Sequence, residues 1–107
     1  MKLSFRTRHI VLTPELRDQM QRRLDFALGR LIAAVRAIDV TIVDVNGPKG
    51  GADKQCRIRV RGLSRDIVIE QTGIDTLSTF SVAAERAGRA VARSLARGRI
   101  FVPALAT

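Results

Sequence analysis

The sequence predicts an α+β domain in which two helices cover one face of a four-stranded mixed sheet. Two segments carry apolar residues at helical spacing, and four shorter segments alternate polar and apolar residues or are rich in β-branched residues. Their order is β-α-β-β-β-α. The helical connection between the first two strands predicts that they pair in parallel, and the short later connections predict an antiparallel meander. Each helix has one apolar stripe, so both must pack on the same face of the sheet.

The final helix, predicted over Asp75 to Arg97, has two distinct faces. Its apolar residues recur at core-facing spacing and are Leu77, Phe80, Ala84, Ala87, Val91 and Leu95. About opposite them lies a stripe of four arginines, Arg86, Arg89, Arg93 and Arg97. Gly98 is predicted to cap this helix. The domain is accordingly placed at residues 1–99, followed by an apolar tail at 100–107.

The first helix is predicted from Pro14 to Leu31 or Ile32. Thr13 is a favourable N-cap, and Pro14 fits the first helical position because its missing N–H costs nothing there. The buried stripe is formed by Leu16, Met20, Leu24, Ala27, Leu28 and Leu31. Three arginines lie off this stripe or at its edge, namely Arg22, Arg23 and Arg30.

The strands are predicted at Lys2 to Arg6, Val35 to Val45, Lys54 to Arg61 and Arg65 to Gln71. In the third strand Cys56, Ile58 and Val60 alternate with an arginine row, Arg57, Arg59 and Arg61. This row either contacts an anionic partner or pairs across the sheet with acids, the candidates being Asp44, Asp66 and Glu70.

Composition narrows the class of partner. The chain has 107 residues, a length typical of one domain, with 19 Lys plus Arg against 10 Asp plus Glu and a net charge of +9. This excess favours an anionic partner such as nucleic acid, although a GC-rich genome also raises arginine content. The chain has no Trp or Tyr, which argues against a sheet that stacks bases on aromatic residues. One cysteine and no membrane-length apolar run favour a cytoplasmic protein.

The sequence offers no catalytic constellation. Cys56 is in phase with core residues, and His9 is expected to shape the turn before the first helix. One His and one Cys cannot build a zinc site, and neither has the partner that a nucleophile needs. Lys49 and Lys54 flank a glycine-rich loop, Asn46 to Asp53, that lacks the pattern of a nucleotide cradle. No enzyme activity, metal or cofactor is therefore predicted.

Several short motifs in order resemble one protein family. They are Arg8-His9-Ile10, Thr13-Pro14-Glu15-Leu16-Arg17, Val40-Thr41-Ile42, Asp53-Lys54-Gln55-Cys56-Arg57 and Ala83-Ala84-Glu85-Arg86-Ala87-Gly88-Arg89-Ala90. Over residues 2–99 the chain resembles the ribosome hibernation promoting factors and ribosome-associated translation inhibitors, also called sigma-factor modulation proteins. It departs from them in three ways. Thr7 stands where the opening motif usually has Gly, arginines replace a lysine-rich end of the final helix, and the C-terminal domain through which long members pair ribosomes is missing.

The resemblance implies a fold akin to double-stranded-RNA-binding domains. It also implies binding to the small (30S) ribosomal subunit and its 16S rRNA in the mRNA and tRNA channel, which silences idle ribosomes in stationary phase or stress. The residues expected to contact rRNA are Arg86, Arg89, Arg93, Arg97, Arg22, Arg23, Arg30, Lys49 and Lys54. The protein is expected to be monomeric off the ribosome. Two alternatives stay open: an adaptor for an acidic protein such as a transcription factor, and a general duplex-RNA binder.

Overall fold

The computed structural model describes residues 1–45 and 53–106, and the side chains as far as residue 97. Its strands are β1 (Lys2–Arg8), β2 (Ala37–Asp44), β3 (Lys54–Arg61) and β4 (Ile67–Gly73), and its helices are α1 (Pro14–Leu28) and α2 (Thr76–Ala106). A short 3-10 segment, Gly29–Ala34, links α1 to β2. Lys49 and most of the predicted loop, residues 46–52, lie outside the described residues.

The four strands form one sheet in the order β1-β2-β3-β4. β1 pairs in parallel with β2, and the other two pairings are antiparallel. This confirms the predicted mixed sheet and its β-α-β-β-β-α order. Three strands differ from their predicted bounds. β1 extends to Arg8, β2 is shorter at both ends, and β4 is shifted two residues later, because Gly73 still pairs with Lys54.

Helix α1 begins as predicted but ends earlier. The Thr13 hydroxyl accepts a hydrogen bond from the Leu16 N–H at 3.1 Å, the arrangement of an N-cap. At Gly29 the backbone has φ 55°, and the Gly29 N–H donates to the Asp25 carbonyl, which ends the helix. The prediction that α1 continues to Leu31 or Ile32 is therefore wrong, because Gly29 adopts a conformation that an α-helix cannot contain.

Helix α2 also differs from its predicted bounds. Asp75 caps its start, since its carboxylate accepts hydrogen bonds from both the N–H and the hydroxyl of Ser78, each at 2.9 Å. At the other end the helix continues through Gly98 to Ala106, so the predicted cap at Gly98 is wrong. A glycine inside a helix costs only about 1 kcal/mol relative to alanine, and the helix-forming residues around it offset that cost.

The core lies between the helices and one face of the sheet. The predicted stripes of both helices pack with the inward residues of the strands. The core residues with the least exposure are Met20, Leu24, Ile38, Ile58, Val60, Phe80, Ala83, Ala84, Ala87 and Val91. Cys56 is buried among them, as predicted. The other face of the sheet is open to solvent, as its alternating burial pattern shows.

The two helices lie close together where Gly88 of α2 faces Ala27 of α1. A Cβ atom at position 88 would lie 2.4 Å from the Ala27 carbonyl oxygen. That distance is far below van der Waals contact, and the obstacle is backbone, which cannot rotate away. Gly88 is therefore required by the spacing of the helices.

Replacing Gly88 by alanine should destabilise the protein, although the same change in most helices stabilises it by about 1 kcal/mol. We expect the free energy of unfolding to fall by about 1–3 kcal/mol because the helices must move apart. Urea unfolding followed by circular dichroism measures this. As a matched control, Ala92→Gly, at an exposed position one turn along α2, should also destabilise, by about 1 kcal/mol. A more stable Gly88→Ala protein would contradict the close crossing.

Cys56 should be nearly inert towards thiol reagents in the folded protein. Burial raises the pKa of its thiol to about 12, so at pH 8 only about one molecule in ten thousand carries the reactive thiolate. We expect alkylation by iodoacetamide, followed by mass spectrometry, to be at least about a hundredfold slower without urea than in concentrated urea. Equal rates in the two conditions would show that Cys56 is accessible.

Candidate nucleic-acid interface

The four predicted arginines of α2 all lie on its solvent side. Arg86, Arg89, Arg93 and Arg97 are exposed, whereas Phe80, Ala84, Ala87 and Val91 on the opposite side are buried. This burial pattern confirms the predicted division of α2 into one face that packs on the core and one face that carries exposed arginines. Each arginine lies about one helical turn from the next. The four guanidinium groups thus form a row suited to a series of negative charges on a partner.

Arg86 differs from the other three because it is tied to the sheet. Its Nη1 donates to the carbonyl oxygen of Glu70 at 2.7 Å and to Oε1 of Gln71 at 2.8 Å. These bonds join α2 to the edge strand β4, so Arg86 has a structural role of its own. Among the side chains that the structure describes, Arg89, Arg93 and Arg97 form no ion pair.

The three arginines predicted on the first helix do not form a single stripe. Arg22 pairs with Asp18 at 2.9 Å, and both side chains are about two-thirds exposed, so the pair contributes little and can exchange its partner easily. Arg23 is exposed and makes no ion pair with any described residue. Arg30 lies beyond Gly29, in the 3-10 segment, and is therefore displaced from the helical alignment of Arg22 and Arg23.

The arginine row of β3 is neutralised residue by residue. Arg57 pairs with Glu70 at 2.9 Å, and Arg59 pairs with Asp66 at 2.6 Å. These two pairs confirm the cross-sheet alternative, in which Asp66 and Glu70 are partners of the row. The open face of the sheet thus uses its own acids to compensate the charge of these arginines.

Arg61 completes the row with a partner that the sequence did not indicate. Its Nε lies 3.0 Å from Oδ2 of Asp39, a charge contact whose angle falls short of a hydrogen bond. The Ser4 hydroxyl also donates to Asp39 at 2.7 Å. This hydrogen bond is the main cause of a lowered pKa at Asp39, and the charges of Arg61 and Arg59 lower it further while partial burial opposes them.

Lys54 is engaged within the protein at the start of β3. Its Nζ lies 2.7 Å from Asp53 and 3.4 Å from Asp44, and the Asp53 carboxylate is fully buried. The hydrogen bond to Asp53, followed by the interaction with Asp44, raises the pKa of Lys54. Asp44 was predicted as a partner of the arginine row and instead faces Lys54. The geometry does not favour the predicted role of Lys54 as an rRNA contact, because its ammonium group already serves two carboxylates.

Several exposed residues at these surfaces were not predicted. Arg6 and Arg8 project from the edge strand β1, and within the described ranges they form no ion pair. Arg17 lies over the ring of Phe5 at 5.3 Å, where it shields an edge of the core. Phe26 is 91% exposed on α1. Its position outside the apolar stripe of α1 was the sequence signal that could have identified it.

The structure also bears on metal binding, on membrane spanning and on the predicted turn at His9. No group of three or more His, Cys, Asp and Glu side chains within ranges 1–45 and 53–106 could hold a metal ion. None of the helices in the searched part of the chain combines the length and the apolar character needed to cross a bilayer. His9 adopts a left-handed backbone, φ 62°, in the turn after β1, in agreement with its predicted place in that turn.

Comparison with known proteins gives a fold relationship. No family model matches the sequence, and no curated protein matches it. Among solved structures, a ribosomal subunit interface protein from Coxiella burnetii is similar over 90% of this chain and 99% of its own, with a TM-score of 0.74 and 12% identity. The N-terminal domain of Protein Y from Thermus thermophilus is similar over 87% of this chain and 98% of its own, with a TM-score of 0.70 and 18% identity. The chain thus has the fold of these two proteins, an α+β sandwich of one mixed sheet and two helices.

Proposed function

We propose that this chain is a ribosome-associated factor of the hibernation promoting type, which binds the small subunit and inhibits translation by occupying its mRNA and tRNA channel. The observation that carries the proposal is the arginine row of α2, in which Arg89, Arg93 and Arg97 form no ion pair with a described side chain. It lies on a domain whose fold matches a ribosomal subunit interface protein along nearly all of both chains. The motif resemblance supports the same family. Ribosome association would place the protein in the cytoplasm.

The charge distribution supports binding through the helices. The row Arg57, Arg59 and Arg61 faces one acid for each arginine, so an approaching phosphate must first compete with a carboxylate. Arg89 and Arg93 form no ion pair with a described side chain, so their guanidinium groups can make bidentate contacts with phosphate oxygens. This difference favours binding through α2, with Arg97, Arg23 and Arg30 as further contacts. Arg22 would join them by releasing Asp18.

The mechanism is occupancy. Because folded rRNA presents phosphates at fixed positions, a rigid helix with evenly spaced guanidinium groups can read shape without reading base sequence. A domain held in this way excludes mRNA and tRNA simply by filling their path. No bond is made or broken, and reversal requires only dissociation.

Removing two arginines from α2 or two from β3 should show which of the two surfaces binds the ribosome. We expect Arg89→Gln with Arg93→Gln to weaken binding to purified small subunits by at least about tenfold, because two phosphate contacts are lost. The matched control, Arg57→Gln with Arg59→Gln, removes the same charge from the open face and should leave the affinity within about twofold. Cosedimentation at fixed salt measures both.

The salt dependence gives a second reading of the same experiment. The slope of log affinity against log salt should decrease in magnitude by about two for the helix variant, since each phosphate contact contributes about 0.9. It should stay unchanged for the sheet variant. Equal losses from the two faces would contradict binding through the helices, and a protein that stays in the supernatant would favour the adaptor alternative.

Translation itself provides the test of channel occupancy. We expect the purified protein to inhibit translation of a reporter mRNA by ribosomes in vitro, and excess tRNA with mRNA, added first, to prevent its binding, because the ligands would compete for one space. A general duplex-RNA binder would bind free RNA hairpins as tightly as subunits. Binding that is unaffected by tRNA and mRNA would exclude the channel as its site.

A further inference from the structure

Phe26 lies at the surface of α1, and packing of the hydrophobic core does not account for its position. The rings of Phe5 and Phe80 pack in the core with their centroids 6.4 Å apart, whereas Phe26 is 91% exposed. A single exposed apolar side chain is ordinary by itself. The residues beside Phe26 indicate which kind of ligand its ring can bind.

Two arginines adjoin Phe26 on the surface of α1. Arg22 and Arg23 precede it by four and three residues, the spacings at which side chains of one helix are neighbours. Both are exposed, and the Asp18 carboxylate that pairs with Arg22 is itself in solvent. Within the described part of the chain, the cation that lies over an aromatic ring is Arg17 over Phe5, so the faces of the Phe26 ring are not covered by a guanidinium group.

An open aromatic ring beside two guanidinium groups is complementary to a nucleotide. The ring offers a flat apolar face for a base, and the arginines offer charge for the phosphates on either side of it. An apolar protein partner would gain from the ring but would have to approach two cations. The charge around Phe26 therefore favours nucleic acid.

We propose that Phe26 stacks against an unpaired base of rRNA while Arg22 and Arg23 hold the adjacent phosphates. This inference rests on the proposed function and adds a specific contact to it. Phosphate contacts from α2 would supply affinity, and the stacked base would fix the register of the domain on the RNA.

Three substitutions at position 26 test the stacking. Phe26→Ala should weaken binding to small subunits by roughly 5- to 150-fold, the range of one base stacked on an aromatic side chain. Phe26→Leu keeps an apolar side chain but removes the ring, and it should lose nearly as much. Because Phe26 is exposed, each variant should melt at the wild-type temperature.

Phe26→Trp adds a direct signal, because the chain has no other tryptophan and no tyrosine. Subtracting a sample of small subunits with the wild-type chain removes the fluorescence of the ribosomal proteins. The remaining emission, from the tryptophan at position 26, should be quenched as a base stacks on the indole. Val68→Trp is the matched control: Val68 is an exposed residue of β4 on the open face, and a tryptophan there reports only light absorbed by the subunits.

The outcomes separate the two proposals. If Phe26→Ala binds like wild type while the Arg89 and Arg93 variant is weakened, stacking is wrong and the proposed function stands. If Phe26→Leu retains full affinity and Phe26→Trp shifts to the blue without quenching, the ring contacts protein and the proposal is overturned. If the wild-type chain does not bind small subunits, both proposals fail.

Discussion

The close crossing at Gly88 and Ala27 is the constraint on which the rest of the structure depends. Without a side chain at position 88, α1 and α2 can lie together in one layer over a sheet of four strands. Both apolar stripes are then buried on the same face, and the arginines of both helices are directed to the outside of that layer. A bulkier residue at the crossing would separate the helices and expose the core between them.

Arginines serve opposite purposes on the two surfaces of the domain. On the open face of the sheet the three arginines of β3 each pair with an acid and act as cross-strand ties, whereas Arg6 of β1 lines the same face without an ion pair among the described residues. On α2, by contrast, Arg89, Arg93 and Arg97 form no ion pair with a described side chain. The net charge of +9 is therefore not spread evenly, and counting charged residues alone would overestimate the sheet as a binding surface.

Periodicity was sufficient to predict the fold, because each helix and strand can bury its apolar residues in only one arrangement. Features that depend on contacts distant in sequence were not predictable. Asp39 as the partner of Arg61 requires the register of β2 on β3, and the bonds from Arg86 to β4 require the docked position of α2. Gly29 was a local signal for the end of α1, but Leu31 and Ile32 after it continued the apolar pattern. Phe26 was visible as an apolar residue out of phase, yet only the folded structure shows that it is exposed.

The contacts at the end of the β2–β3 pair have a consequence for how this domain can vary. The Val45 N–H donates to the Asp53 carbonyl at 2.9 Å, and Lys54 bridges Asp44 and the buried Asp53. These contacts join the two strand ends at the described residues on either side of segment 46–52. Evolution can therefore lengthen, shorten or recode the connecting segment while the sheet stays in register, and the same property makes it a natural place to graft a foreign peptide or open new chain termini.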